Sequence, residues 1–144
     1  MPYHVMDEAE WRGFLRSPVR PAVLATTRED GRPHAAPIWY DLADDGSIVF
    51  TTGADTVKGR NTRRTGQVAL VVQDDQPPFS FVVVTGEATW SEDPDELRTW
   101  ATRLGGRYMG PDRAEAYGAR NAVPGELLVR VTPTSVVAEA DIAD

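Results

Sequence analysis

The sequence predicts a mainly β fold with peripheral helices, in which six antiparallel strands close, or nearly close, into a barrel. The first observation is that two strand-like stretches end in tight turns, Asp30-Gly31 and Asp45-Gly46, because glycine allows the positive φ that hairpins need. The second is that three more apolar runs follow, and closing such a set into a barrel removes exposed strand edges. At 144 residues the chain can bury one core, so we expect residues 1–144 to form a single domain.

The predicted strands contain three residues that disturb regular pairing. Pro37 lies in the second strand, where a proline indicates an edge, a bulge or a bend, because it cannot donate to the ladder. Gly86 marks a bend or bulge in the long fifth strand. Pro133 closes the sixth strand, which could resume at 136–137. The six strands are predicted at 20–28, 33–42, 48–52, 67–73, 79–90 and 126–131.

Helices are predicted outside these strands from their capping residues. Asp7, with Glu10 three residues later, has the spacing of a capping box, which begins a helix. Asp93 is the N-cap of another helix, because Pro94 suits the first helical position. The first helix ends at Ser17-Pro18, the second ends at Gly105-Gly106, and a weak third helix covers 112–117.

Composition and charge exclude several classes of function. Without cysteine, neither a disulfide framework nor a thiolate metal site can form. The two histidines, His4 and His34, are too isolated for a metal cluster of familiar spacing, so no metal is expected. A net charge of −7 and a pI near 4.8 argue against nucleic acid as a partner. The sequence has neither an apolar run of about 18 residues for a membrane span nor a signal-peptide pattern, which predicts a cytoplasmic protein.

Positive charge is concentrated in the stretch 51–64, between the third and fourth predicted strands. It holds four cations and one acid, and it includes Lys58, the single lysine among the 15 Lys and Arg residues. Asp55 or Thr56 can cap a helix that begins at Val57. The N–H groups of that first turn, together with the helix dipole, favour binding of an anion.

Polar side chains add to this candidate anion site. Lys58, Asn61 and Arg64 recur every three residues and therefore lie along one helix face. Thr51, Thr52 and Thr56 could contribute hydroxyl donors. Such a row could hold a phosphate and the polar chain attached to it. Spacing alone leaves the alternative of a solvated basic helix, because the stretch lacks the glycine pattern of a P-loop.

Aromatic and proline residues form two candidate walls. Trp39, close to Pro37, could cover a flat ligand, and Phe79 and Phe81 with the prolines at 77–78 could supply another apolar wall. Buried aromatic side chains more often serve packing, so both interpretations stay open. The catalytic residue is unassigned, since no Ser/His/Asp set or carboxylate pair is evident.

Six short motifs follow one another along residues 8–137: AVLAT at 22–26, GRPHAAPIWY at 31–40, IVFTT at 48–52, TVK at 56–58, NTRR at 61–64 and VVVTGE at 82–87. Together they resemble the pyridoxamine 5′-phosphate oxidase-like split β-barrel superfamily, and within it the actinobacterial reductases that use coenzyme F-420, a deazaflavin. The most specific part is the Thr-x-Lys-x-x-Asn pattern that follows a strand ending in threonines.

The resemblance implies a six-stranded split β-barrel that forms a homodimer, with cofactor sites at the subunit interface. It also assigns three groups of site residues. The phosphate-bearing tail of the cofactor would contact Thr52, Thr56, Val57, Lys58, Asn61 and Arg64. The ring and its ribityl-like chain would lie along Pro37, Ile38 and Trp39, and the partner subunit would contribute Pro78, Phe79 and Phe81.

The cofactor implied is coenzyme F-420, with FMN as the alternative. Superfamily oxidases that use FMN carry Ser-Arg-Lys at the positions of 56–58 and Gln-Val-Arg at those of 81–83, and this chain lacks those arginines and that glutamine. The implied reaction is hydride transfer from reduced F-420 to a small electron-poor acceptor, such as an enone, a quinone or a tetrapyrrole. Two alternatives stay open: an FMN-dependent oxidoreductase, and a non-catalytic protein that binds a flavin, a deazaflavin or haem.

Overall fold

The structure, a computed structural model, describes residues 2–144 and contains one antiparallel sheet with helices around it. The strands are β1 (His4–Val5), β2 (Ala22–Thr27), β3 (Pro33–Ile38), β4 (Asp41–Leu42), β5 (Ile48–Gly53), β6 (Gln67–Asp74), β7 (Ser80–Ser91) and β8 (Glu126–Ala140). The α-helices are α1 (Glu8–Arg16), α2 (Val57–Thr65), α3 (Pro94–Met109) and α4 (Ala114–Asn121), with a 3-10 turn at Pro111–Arg113. Within residues 2–144, no helix has the length and apolar character to cross a membrane.

The sheet has the strand order β3-β2-β6-β7-β8-β5-β4, and β1 pairs with β8. β3 and β4 are the two ends of this order, yet only the residues at 39–40 separate them along the chain. The chain therefore draws the two ends of the sheet together, and the sheet curls into a barrel that is split between β3 and β4. The predicted fold, a mainly β split barrel with peripheral helices, is confirmed.

The core lies on the concave side of this sheet. Leu24, Leu70 and Val84 are register partners across β2, β6 and β7, and all three are almost fully buried. Phe50 of β5 and Leu15 of α1 complete the same cluster at 0% exposure. Each such side chain contributes roughly 1.5–3 kcal/mol by leaving water, so the alternation along the strands specifies their register.

The other face of the same strands carries a row of valines that is half-buried in the middle and exposed at its two ends. Val23, Val71, Val83 and Val137 are successive register partners across β2, β6, β7 and β8, and we call them the outer valine row. Val23 is 44% exposed and Val137 is 52% exposed. The adjacent row on this face consists of small side chains, namely Ala25, Ala69, Thr85 and Ser135. A contiguous exposed apolar patch of this kind is typical of an association surface.

A tyrosine of α3 joins the linker between β3 and β4 to the residue that precedes β2 by two positions. The Tyr108 hydroxyl accepts a hydrogen bond from the Tyr40 N–H at 3.2 Å and donates one to the Arg20 carbonyl oxygen at 2.7 Å. The adjacent Arg107 donates to the carbonyl oxygens of residues 15–16, at 3.0 Å each. Side chains of α3 therefore satisfy main-chain groups at the split and attach α3 to the end of α1.

All six predicted strands are present, but the sheet contains eight. The predicted strand 33–42 is divided at residues 39–40 into β3 and β4, and the two-residue β1 is too short to produce a sequence pattern. The prediction of six strands is therefore wrong in number. The capping box at Asp7 and the N-caps at Thr56 and Asp93 are confirmed.

α3 does not end at Gly105-Gly106, as predicted, but continues to Met109. A Cβ on Gly105 would lie 2.4 Å from the Cβ of Tyr117, so this glycine permits close packing of α3 against α4. The helix ends at Gly110, whose φ of +100° suits glycine. The prediction is wrong because a glycine inside a helix can serve a close helix contact as well as a stop.

β8 continues past Pro133 to Ala140, so the predicted end of the sixth strand is wrong. Pro133 pairs with Gly86, and the register shifts between Thr85 and Gly86, which leaves Thr134 as the extra residue of a bulge. A proline is tolerated there because the ladder is already interrupted and its missing N–H removes no regular bond. The predicted irregularity at Gly86 is confirmed.

Removing the Tyr108 hydroxyl, which joins Tyr40 to Arg20, tests its contribution to stability. Tyr108→Phe leaves the Tyr40 N–H without its partner, so we expect the free energy of unfolding to fall by about 1–3 kcal/mol in urea titrations. Tyr3→Phe is the matched control, because the Tyr3 hydroxyl bonds to Glu139 at the exposed surface, where a change within about 0.5 kcal/mol is expected. Equal losses in the two variants would contradict the bridging role.

Candidate functional site

A groove of about 300 Å³ lies between the end of β3 and the N-terminus of α2, and we call it the β3–α2 groove. Segments that are distant in sequence form its walls. They contribute Pro37, Ile38, Trp39, Thr51, Thr52, Gly53, Thr56, Lys58, Ala101, Leu104, Asn121 and Glu126. The groove thus brings together the proline-aromatic stretch and the cation-rich stretch that the sequence analysis identified separately.

The N-terminus of α2 is fixed on the end of β5 by two threonines and two glycines. The Thr56 hydroxyl accepts the Gly59 N–H at 3.1 Å and donates to the Gly53 carbonyl oxygen at 2.7 Å. A Cβ on Gly59 would lie only 2.2 Å from that carbonyl oxygen, so the approach requires glycine. The buried Thr52 hydroxyl lies 3.0 Å from the Thr56 hydroxyl and donates to it, because the Thr56 proton is already used. Both hydroxyl protons are thus engaged within the protein, and a phosphate contact by these threonines stays a prediction.

One cation and one carboxylate border the groove. Lys58 has no hydrogen-bonded or ion-paired partner among residues 2–144. Glu126 begins β8 opposite Gly53, and its Oε2 atom is buried without a hydrogen-bond partner in the described part of the chain. Burial raises the pKa of the Glu126 carboxyl above its ordinary value, and the positive charge of Lys58 partly opposes this rise. Lys58 is therefore available to a ligand, and Glu126 brings a negative charge to the same groove lining.

Asn61 and Arg64 attach α2 to β2. Asn61 is 3% exposed, and its Nδ2 donates to the Thr26 hydroxyl at 3.1 Å. Arg64 donates to the Asn61 Oδ1 at 3.1 Å and to a main-chain carbonyl at the end of β2. These residues and Val57 line a separate groove of about 390 Å³ beside the hairpin at 28–32. Their predicted contact with a cofactor stays a prediction, and in this structure their polar groups serve the helix–strand connection.

Trp39 forms a rigid part of the wall opposite α2. Its ring stacks on Tyr108, with centroids 5.0 Å apart and an interplanar angle of 2°, and it tilts against Tyr117 at 5.6 Å. It is partly buried and borders the groove together with Ile38. The two interpretations of this aromatic, packing and ligand wall, are therefore compatible, because packing on α3 and α4 holds the indole in place.

Pro78, Phe79 and Phe81 lie outside the β3–α2 groove of their own chain. The carbonyl oxygens of Pro78 and Phe79 accept hydrogen bonds at 2.9 Å each from the main-chain N–H groups of residues 142–143. Phe81 projects from β7 on the same face as Val83 of the outer valine row. A contact of these three residues with a cofactor requires a second copy of the chain, and it stays a prediction.

The structure brings six of the twelve predicted site residues into the β3–α2 groove, namely Pro37, Ile38, Trp39, Thr52, Thr56 and Lys58. Sequence reasoning missed four groove residues that come from other elements: Ala101, Leu104, Asn121 and Glu126. The only sequence signal for Glu126 is a carboxylate at the start of a strand. Only the pairing of β8 with β5, which places Glu126 opposite Gly53, brings this carboxylate to the groove.

Comparison with known families identifies the family to which this fold belongs. The family model described as pyridoxamine 5′-phosphate oxidase matches residues 7–138. The chain belongs to the pyridoxamine 5′-phosphate oxidase family. This membership confirms the resemblance that the sequence motifs indicate. No protein of curated function matches the chain.

Solved structures with the fold of the pyridoxamine 5′-phosphate oxidase family include close structural neighbours. The conserved hypothetical protein Rv2991 from Mycobacterium tuberculosis is 29% identical with a TM-score of 0.81, over 93% of this chain and 84% of that one. A protein solved as an F420 reductase is 26% identical with a TM-score of 0.68, over 87% of this chain and 94% of that one. The haem storage protein HutZ from Vibrio cholerae, at 18% identity and a TM-score of 0.70 over 91% and 94% of the two chains, shows the fold alone. The F420 reductase neighbour is consistent with the F-420 branch that the motifs resemble.

Truncating Asn61 separates a structural role from a role in ligand contact. Asn61→Ala leaves the buried Thr26 hydroxyl without its donor, so we expect the free energy of unfolding to fall by about 2 kcal/mol, measured by urea titration. Arg63→Ala in the same helix is the control, because Arg63 is exposed and its loss should cost less than about 0.5 kcal/mol. Wild-type stability in Asn61→Ala would show that the helix–strand connection does not depend on this bond.

Proposed function

We propose that this protein is an oxidoreductase that transfers a hydride from reduced coenzyme F-420 to a small electron-poor acceptor. One observation carries the proposal: the β3–α2 groove joins the ammonium group of Lys58 at a helix N-terminus to an apolar wall at 37–39. A ring cofactor with a phosphate on its side chain requires both kinds of surface. Membership in the pyridoxamine 5′-phosphate oxidase family and the likeness to an F420 reductase support it.

The residues present fit the phosphate-bearing part of this cofactor. Lys58 has no hydrogen-bonded or ion-paired partner in the described part of the chain, and a charge-assisted contact to phosphate is about twice as strong as a neutral hydrogen bond. The first turn of α2 adds N–H groups and the positive end of the helix dipole. The Glu126 carboxyl also lines the groove, while its Oε2 atom is buried. Lys58 and the helix N-terminus together match the phosphate of the cofactor's side chain.

The chain contributes position and shelter, because the cofactor carries the reactive atom. When bound, reduced F-420 supplies the hydride, so no nucleophile is required from the protein. Ile38 and Trp39 would orient the planar ring, Lys58 would hold the phosphate, and the groove would limit access of water. The acceptor class that suits this chemistry is an enone, a quinone or a tetrapyrrole.

We also propose that the functional unit is a homodimer formed through the outer valine row. The row spans four strands, and a second copy would remove its exposed apolar surface from water. Pro37 is the register partner of Val23, and the two residues that follow Pro37 line the β3–α2 groove. The proposed interface is thus continuous with the groove, and Phe81 on the same face could reach the groove of the second copy.

Parallel titration of F-420 and FMN tests the cofactor. We expect F-420 to bind more tightly than FMN, and Lys58→Ala to weaken F-420 binding at least about tenfold, because a charge-assisted contact of roughly 1.5–3 kcal/mol is lost. Ligand fluorescence measures the affinity, and the melting temperature should be unchanged because Lys58 has no hydrogen-bonded or ion-paired partner among residues 2–144. Arg63→Ala, which removes an exposed cation of the same helix, should leave the affinity at the wild-type value.

Turnover then distinguishes an enzyme from a carrier. Reduced F-420 is mixed with the protein and a menaquinone or a biliverdin-type acceptor, and the return of the fluorescence of oxidised F-420 reports hydride transfer. Tight binding of F-420 without turnover of any acceptor would favour the non-catalytic binder. Binding of FMN without binding of F-420 would favour the FMN-dependent alternative.

A charge placed in the outer valine row tests the homodimer. Val137→Asp would bury a carboxylate at the proposed interface, so we expect a monomer by size-exclusion chromatography with light scattering, at concentrations where the wild type is a dimer. Val123→Asp is the matched control, because Val123 is 42% exposed and lies outside the row. A monomeric wild type, or a dimer in both variants, would contradict the assignment of this face.

A further inference from the structure

The β3–α2 groove contains a carboxylate for which hydride transfer has no evident need. Glu126 comes from β8, and its buried Oε2 atom lies next to the turn that leads into α2. A Cβ on Gly53 would be 4.0 Å from this oxygen and 3.3 Å from Cγ2 of Thr56. The carboxylate therefore lies beside the helix N-terminus, where a phosphate would be attracted.

The charges around Glu126 come from few groups. Lys58 of α2 is the other charged residue of the groove lining, while Thr52 of β5 and Asn121 of α4 are neutral and polar. The formal charge of the lining is therefore zero when Glu126 is ionised. The separate groove beside α2 differs, because it is lined by four arginines and two acids: Arg28, Arg32, Arg60, Arg64, Glu29 and Asp30. Positive charge is thus in excess in the separate groove, whereas in the β3–α2 groove Glu126 cancels the charge of Lys58.

This balance affects phosphates according to their charge. A phosphodiester carries one negative charge, whereas a phosphomonoester carries almost two at neutral pH, because its second pKa is about 6. Lys58 attracts both, but Glu126 repels the second charge of the monoester in addition to the first. The repulsion is strong in a partly buried groove, where the effective dielectric constant is far below that of water.

We propose that Glu126 makes the β3–α2 groove selective for ligands with a singly charged phosphodiester over ligands with a doubly charged phosphomonoester. The inference rests on the proposed function, because it takes the phosphate of the cofactor to lie at Lys58. F-420 carries a phosphodiester and FMN carries a phosphomonoester, so Glu126 favours the deazaflavin over the flavin. The selectivity comes from repulsion of the wrong ligand, which is a common basis of specificity.

FMN and riboflavin provide a direct test, because they share one ring and differ by the phosphomonoester. Affinities of both are measured by fluorescence titration for the wild type, Glu126→Gln and the control Glu87→Gln, in which the exposed Glu87 lies outside both grooves. We expect the ratio of FMN affinity to riboflavin affinity to rise about tenfold or more in Glu126→Gln, and F-420 affinity to rise by less. Glu87→Gln should leave the ratio at the wild-type value.

The pH dependence provides a second measurement. Burial raises the pKa of Glu126, so lowering the pH neutralises this carboxyl in the wild type. The ratio of FMN affinity to riboflavin affinity should therefore rise as the pH falls. Glu126→Gln has no carboxyl at this position, so this contribution to the pH dependence should be missing there. Glu126→Ala replaces the glutamine variant if that variant fails to fold. An unchanged ratio, or no FMN binding by the variants, would overturn the inference. A wild type that fails to bind F-420 would instead overturn the proposed function, and the two failures are therefore distinguishable.

Discussion

The hydrogen bonds of the Tyr108 hydroxyl at the split of the barrel are the constraint on which the rest of the structure depends. The residues at 39–40, between the end of β3 and the start of β4, have no partners in the sheet. A buried N–H left unpaired there would cost roughly 1–3 kcal/mol. Tyr108 satisfies the Tyr40 N–H and also stacks on Trp39. One side chain thus makes the gap in the sheet stable and fixes the aromatic wall of the groove that the gap creates.

The second constraint is the close contact between α2 and β5. Gly59 lies so near the Gly53 carbonyl oxygen that no side chain fits, and the Thr56 hydroxyl bonds to both residues. One side of the helix is therefore engaged by structural bonds, including that of the buried Asn61. Lys58 borders the groove without a hydrogen-bonded or ion-paired partner among residues 2–144, and Glu126 is the opposite charge of the same lining.

Local signals predicted most of the fold and about half of the groove. The Asp-Gly hairpin turns and the helix caps depend on neighbouring residues, which is why the strands and helix starts were predictable. Gly105 and Pro133 were misread because their meaning depends on Tyr117 and Gly86, which are distant in sequence. Glu126 was missed for the same reason, since its position opposite β5 is set by sheet pairing. Tertiary contacts alone distinguish a glycine that stops a helix from one that permits packing.

The groove and the outer valine row meet at Pro37, and this continuity has a thermodynamic consequence. If Phe81 of a second copy completes the groove, a cofactor that binds the completed site must stabilise the dimer by the same free energy with which dimerisation strengthens its binding. A monomer still retains Lys58, Glu126 and the Trp39 wall, so the charge selectivity of the groove needs no partner. The outer valine row therefore controls association, whereas Lys58 and Glu126 control the response to ligand charge. Changes in the valine row should alter the affinity for all ring ligands without altering the order of those affinities.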